Sequence, residues 1–191
     1  MQNKKRKRYN SKEDDKSNSI KKPCREKLKN YADSNGDYNL TNNEKLNGQF
    51  EIQRLLGKGS FGKVVMCKDT ESKMVAVKII KCNDSFKKPF EAECEILEYV
   101  KQNDPDNISG VVEILGKFTF HNHPCIVFEK LNIDLYGLLY KTNFRGISLK
   151  LTRIFAKRML KTLQFLKELP NPVIHGDLKL ENILLCNSEH P

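Results

Sequence analysis

Residues 174–185 read Ile174-His175-Gly176-Asp177-Leu178-Lys179-Leu180-Glu181-Asn182-Ile183-Leu184-Leu185. A carboxylate, an ammonium two residues on and a carboxamide three further stand between two apolar ends. Phosphoryl transfer asks for this set within one short loop. Asp177 would orient a hydroxyl and accept its proton, Lys179 would offset charge on the group in flight, and Asn182 would offer an oxygen to magnesium. Asp and Asn are also common turn formers and caps, so each alone carries little weight. The spacing, with what lies upstream, carries the reading.

Upstream, Val75-Ala76-Val77-Lys78 puts a lysine in an otherwise apolar strand. Such a lysine usually sits at a sheet edge and points to solvent. A partner changes that expectation. Residues 89–101 read as a helix, with Pro89 suited to its first turn and Asn103-Asp104-Pro105 ending it. Glu91, Glu95 and Glu98 share one stripe, whereas Glu93 falls with Ile96, Leu97 and Val100 on the apolar one. A glutamate aimed inward needs a cation, and Lys78 supplies it. The pair is expected to hold the lysine over the α- and β-phosphates of a nucleotide.

Further upstream is Gly57-Lys58-Gly59-Ser60-Phe61-Gly62-Lys63-Val64, a glycine-rich turn between strands. Without a Cβ the backbone can close over phosphates. A dinucleotide fold would place a helix after the glycines, but Val64-Val65-Met66-Cys67 continues as a strand. The loop therefore reads as a nucleotide-covering hairpin.

Five strands are expected, at residues 50–56, 63–68, 74–80, 111–120 and 125–129. One helix falls between the third and fourth, and two follow the fifth. Of these the first covers residues 135–140. The second starts at Ser148, an N-cap, carries Leu151, Phe155, Met159, Leu163 and Leu166 down one face, and stops before Pro170. The class is α+β.

The 191 residues carry a formal net charge of +10, and residues 1–30 hold 12 Lys or Arg against 4 Asp or Glu. The excess thus sits on a polar extension, and residues 1–48 are expected to be a disordered basic tail. Residues 49–191 are expected to be the folded domain, with 49–131 as a first lobe and 132–191 as the start of a second. Lys4 to Arg8 with Lys21-Lys22 resembles a bipartite import signal, which implies importin as a partner and a nuclear as well as cytoplasmic location. No aromatics interleave with these clusters, so specific nucleic-acid binding is not expected. No run approaches membrane-spanning length. Six cysteines lack any Cys-x-x-Cys pair and read as reduced thiols, with Cys94 and Cys186 packing. His121-Asn122-His123 reads as a polar loop and not a metal site.

These motifs together resemble the dual-specificity tyrosine-regulated protein kinases, and within them the minibrain type. The resemblance spans about residues 30–191. It takes in residues 57–64 and 75–78, Phe128-Glu129, Asn143-Phe144-Arg145-Gly146, residues 181–186, and, before the domain, Asn43-Glu44-Lys45 and the basic clusters. It implies a bilobal kinase fold, a five-stranded antiparallel sheet with one helix followed by an incomplete helical lobe, using ATP and Mg2+. Leu56, Gly57, Lys58, Gly59, Ser60, Phe61 and Gly62 would surround the nucleotide with Lys78. Val64, Ala76 and Leu184 would sandwich the base, Phe128 would stand behind it, and the backbones of Glu129 and Leu131 would bond it. Such kinases phosphorylate Ser and Thr on other proteins and a Tyr on their own activation loop.

Several positions depart from the pattern. Gly176 replaces the usual Arg and the Cys of these relatives, so no phosphate-to-Arg switch can act there. Leu180 replaces a Pro, and Lys130 an apolar hinge residue, expected to point outward. Such kinases continue within about ten residues of Asn187-Ser188 to Asp-Phe-Gly, whose Asp holds magnesium. Asn182 is thus the one metal ligand expected in this chain, which ends at Pro191. The first expectation is a fragment of an active kinase. Taken alone it would be poorly stable and inactive, which leaves the alternative of a noncatalytic competitor for a kinase's partners.

Overall fold

The computed structural model describes residues 31–186. The expected import signal, Cys24 and residues 187–191 lie outside them.

The fold is built on a mixed-length antiparallel sheet: β1 (Lys45–Leu46), β2 (Phe50–Gly59), β3 (Gly62–Lys68), β4 (Met74–Ile80), β5 (Ile114–Phe120) and β6 (His123–Glu129), in the order β1-β2-β3-β4-β6-β5. Helix α1 (Lys87–Gln102) crosses between β4 and β5, and α2 (Leu135–Lys141) and α3 (Leu149–Glu168) follow the sheet. Local chemistry sets the helix starts. Asp134 accepts from the Gly137 amide at 2.6 Å, and the Ser148 hydroxyl accepts from the Leu151 amide at 3.3 Å. The apolar stripe of α3 is half-buried at Leu151, Phe155, Met159 and Leu163 and buried at Leu166. There Leu166 and Leu169 pack with Val100 of α1.

Strand β4 alternates cleanly. Val75, Val77 and Ile79 join a core on one face with Val65, Cys67, Cys125 and Val127. Ala76 and Lys78 face the other way and pair in register with Phe128 and Ile126. On that side Ile126, Ile114 and Cys94 form a second core with Phe90, Leu97 and Phe128 beneath α1. The strand is covered on both faces, as a near-continuous apolar run requires. Ile96, expected on the packed face of α1, is half exposed.

The first face corrects two expectations. Residues 31–48, placed by composition in a disordered tail, cover it: Tyr38 and Leu46 are fully buried in its core, and Tyr31 and Leu40 pack against them. The sheet accordingly has six strands and not five, because Lys45 and Leu46 pair with Glu51 and Phe50. Two buried apolar side chains anchor a polar segment in which a turn around Asp33 meets several backbone amides. Asp33 Oδ1 accepts from the Asn35 and Asp37 amides at 2.8 and 3.0 Å, and Asp33 and Asp37 bond through their backbones at 2.8 Å. The folded unit therefore begins at or before residue 31.

His123, read as part of a polar loop, is wholly buried. Its Nδ1 lies 2.8 Å from the Ile80 carbonyl, and its ring meets Tyr38 edge-on at 5.1 Å. Burial holds its pKa below the ordinary value. The loop proper is the two-residue turn His121-Asn122, with φ of 47° and 65°, the left-handed pair that joins strands in a tight hairpin. Cys67, Cys94 and Cys125 are buried, and burial pushes the thiols of Cys67 and Cys125 up to about 12. Cys186, expected to pack, is exposed, because it lies past the last bridged residue, Leu184. No helix among the described residues is long and apolar enough to cross a membrane, and they hold no cluster of His, Cys, Asp and Glu fit for a metal.

If residues 31–48 belong to the folded unit, Leu46→Ala should cost about 2–5 kcal/mol in urea unfolding, as for a fully buried leucine. Leu149→Ala, at a side chain 66% exposed, should stay within about 0.5 kcal/mol. Equal, small effects would place residue 46 outside the core.

Candidate active site

The glycine-rich stretch is a hairpin whose strands run up to a two-residue tip, Ser60-Phe61, with Gly59 opposite Gly62. Gly62 has φ of 145°, and a Cβ there would collide with the Ile79 carbonyl oxygen, so only glycine lets β3 lie this close to β4. Gly57 and Gly59 instead face open space, with nothing within 4 Å of where a Cβ would stand. This open cradle of backbone suits a polyphosphate. The Phe61 carbonyl accepts from the Lys81 amide at 3.0 Å, and the Phe61 ring meets Phe86 edge-on at 5.7 Å. Its centroid is 5.8 Å from Lys78 Nζ.

Lys78 pairs with Glu93 as expected. Its Nζ donates to Oε1 at 2.6 Å and to Oε2 at 2.7 Å, a two-oxygen grip between β4 and α1. The lysine side chain is 22% exposed and the glutamate 36%, so the pair is partly open to solvent and not within the core. Val64 lies opposite Lys78 in the β3–β4 ladder and therefore shares its face with Ala76. Lys58 does not: the alternation of the hairpin turns its side chain to the opposite face, which leaves only its backbone for a nucleotide. Leu56 and Leu184 are 37% and 44% exposed.

Phe128 ends the cluster under α1. Glu129 is tied back to the sheet, its amide donating to the Glu113 carbonyl at 3.2 Å and its Oε1 accepting from the Glu113 amide at 2.9 Å. Lys130 does not point freely outward. It is partly buried and donates to the Leu131 carbonyl, and burial, with the charge of Arg54, lowers its pKa. Beyond Leu131 the chain pairs with the end of the loop that carries Asp177. Asn132 donates to the Leu185 carbonyl at 2.7 Å, Leu185 to Ile133 at 2.9 Å and Leu135 to Ile183 at 2.9 Å.

Within that loop the three expected residues converge. Asp177 Oδ2 accepts from Lys179 Nζ at 2.8 Å and from Asn182 Nδ2 at 2.9 Å, and Asn182 Nδ2 also reaches the Asp177 carbonyl at 2.8 Å. The hydrogen bond from Lys179, then that from Asn182, holds the Asp177 carboxyl below the usual range, so it is ionised at neutral pH. With its nitrogen turned to Asp177, the carboxamide of Asn182 keeps its oxygen available as a hard ligand, the kind magnesium takes. Gly176 has φ of 73°, the left-handed backbone at which a side chain is strained.

Comparison with known proteins agrees with this geometry. A family model described as protein kinase domain matches residues 50–191. The chain belongs to the protein kinase family. It is 38% identical over 156 residues to the dual specificity tyrosine-phosphorylation-regulated kinase mbk-2 of Caenorhabditis elegans, covering 81% of this chain and 19% of that protein. It is 40% identical, over the same length, to dual specificity tyrosine-phosphorylation-regulated kinase 3 of Macaca fascicularis, covering 27% of it. The chain thus spans about a fifth to a quarter of the length of these curated relatives.

Residues the sequence reading missed are Asp37, Tyr38 and His123. The available signal was the resemblance itself, which began near residue 30 while composition placed the boundary at 48.

The grip of Lys179 on Asp177 is measurable by following the Asp177 carboxyl carbon by NMR as pH falls. In the native chain it should titrate below 3.8, its ordinary value, so the stability that the pair adds is present above that pH and is lost as pH falls through the folded value. Lys179→Met should move the titration up toward 3.8. An unmoved midpoint would mean the pair does not form in solution.

Proposed function

We propose that this chain carries the nucleotide-covering sheet and catalytic loop of a protein kinase that transfers the γ-phosphoryl group of ATP to Ser and Thr hydroxyls of proteins. By likeness to the dual-specificity kinases, a Tyr of its own chain would be a further acceptor. The observation that carries the reading is the convergence of Lys179 and Asn182 on one oxygen of an exposed, ionised Asp177.

An acceptor hydroxyl within hydrogen-bond reach of Asp177 would be oriented by its carboxylate and lose its proton to it as the oxygen attacks phosphorus and ADP leaves. The low basicity of Asp177 suits orientation, with proton transfer late, when the attacking oxygen has become acidic. Lys179 would move its charge from Asp177 toward the phosphoryl group. Lys78, steered by Glu93, would meet the α- and β-phosphates, and the backbone of residues 57–59 would cover them. Magnesium, when bound, supplies positive charge to the phosphates, and the Asn182 carboxamide oxygen is the ligand this chain would give it. Ala76, Val64 and Leu184 would enclose the base, with Phe128 behind it and the backbones of Glu129 and Leu131 along its edge. Protein substrates would be the partners. Nuclear import through importin would rest on the basic clusters of residues 4–8 and 21–22.

Phosphate transfer from labelled ATP to a general protein acceptor, with magnesium, tests the reading. Asp177→Asn, which preserves size and leaves the fold's buried groups untouched, should lower the rate by about 10²–10⁴-fold with an unfolding midpoint only slightly lowered by loss of the exposed pair with Lys179. Equal rates in the two proteins would remove Asp177 from the chemistry.

A further inference from the structure

Lys58 stands inside the glycine-rich hairpin, yet its ammonium serves the opposite face. Its Nζ lies 2.9 Å from Asp37 Oδ2. Across the hairpin its register partner Lys63 sends Nζ to the Tyr38 carbonyl at 2.8 Å. One rung of the phosphate-covering hairpin is therefore held on both of its strands by two consecutive residues of the preceding segment, Asp37 and Tyr38.

The anchor is stiff. Asp37 is 1% exposed, and the cation that answers its carboxylate is the Lys58 ammonium, 2.9 Å from Oδ2. The Asp37 backbone is fixed by both bonds to Asp33, and the neighbouring Gly36 carbonyl accepts from the Cys82 amide at 3.0 Å, just past the end of β4. The hairpin by contrast is rich in glycine, the residue with most conformational freedom to lose. A buried carboxylate left without its cation is costly, which favours the paired position of Lys58.

We propose that Asp37 is a positioning residue for the phosphate-covering hairpin: through Lys58 it fixes the height of Gly57 and Gly59 over the site, so the segment preceding the sheet sets affinity for nucleoside polyphosphates. The inference rests on the nucleotide-binding reading above. It also assigns a role to Lys58 other than touching the nucleotide with its side chain.

Two measurements on the full chain separate the clamp from that reading. Hydrogen exchange at amides 57–62, without nucleotide, should speed up by about three- to tenfold in both Asp37→Asn and Lys58→Met, the range for one partly buried ion pair. ADP should then bind about three- to tenfold more weakly to either variant, with the double variant no worse than the single ones and adenosine affinity nearly unchanged. Lys58 is half exposed, so its variant keeps the test open should Asp37→Asn fail to fold. Unchanged hairpin exchange in Lys58→Met would overturn the clamp. Equal losses for ADP and adenosine would overturn the positioning role and leave Asp37 merely structural. A native chain that binds neither ligand would overturn the nucleotide reading, while the exchange result still decides the clamp.

Discussion

Strand β4 has to be covered on both faces, and the rest of the molecule follows from that constraint. Val75, Val77 and Ile79 need one apolar roof, and Ala76 and Ile80, with Lys78 between them, need another. Helix α1 provides the second and brings Glu93 to the one cation in that row. The segment before the sheet provides the first, with Tyr38 and Leu46. The site is thus a consequence of packing: a lysine placed among core residues of a two-faced strand is held in one position by the helix that hides its neighbours.

The central sheet, the three helices and the Lys78–Glu93 and Asp177–Lys179–Asn182 groupings were legible because each depends on local pattern. Alternation marks the strands, Ser148 and Pro170 bound the last helix, and the loop chemistry is contiguous in sequence. Residues 31–48 were not legible by composition. Their burial depends on the apolar side chains Tyr38 and Leu46, on a turn around Asp33, and on Lys58 and Lys63 reaching in from the hairpin, none of which a periodicity reports. His123 was misread for a related reason. Sequence proximity grouped it with His121, whereas the tight turn ends before it and β6 begins with it. Lys130 and Lys58 show the same limit in the site: a residue type can be read from its position, but not the direction its side chain takes when a carbonyl or a carboxylate lies close on another segment.

Electrostatically the two halves of the site differ. Lys78 and Glu93 neutralise each other across two elements, so their geometry depends on how α1 sits on the sheet. Asp177 and Lys179 are two residues apart, and their contact is strung within one loop, largely exposed to water. Screening by salt should touch the second far more than the first.

The chain between the sheet and the catalytic loop has a mechanical consequence. Glu129 is fastened to β5 through Glu113, while Asn132, Ile133 and Leu135 are fastened to residues 183 and 185. Only Lys130 and Leu131 lie between these two fastenings. Away from this crossing the two parts meet again where Val100 of α1 packs on Leu166 and Leu169 and the Asn171 amide donates to the Tyr99 hydroxyl at 2.7 Å, so the loop that carries Asp177 is held to the sheet at two separate places, like a door on two hinges.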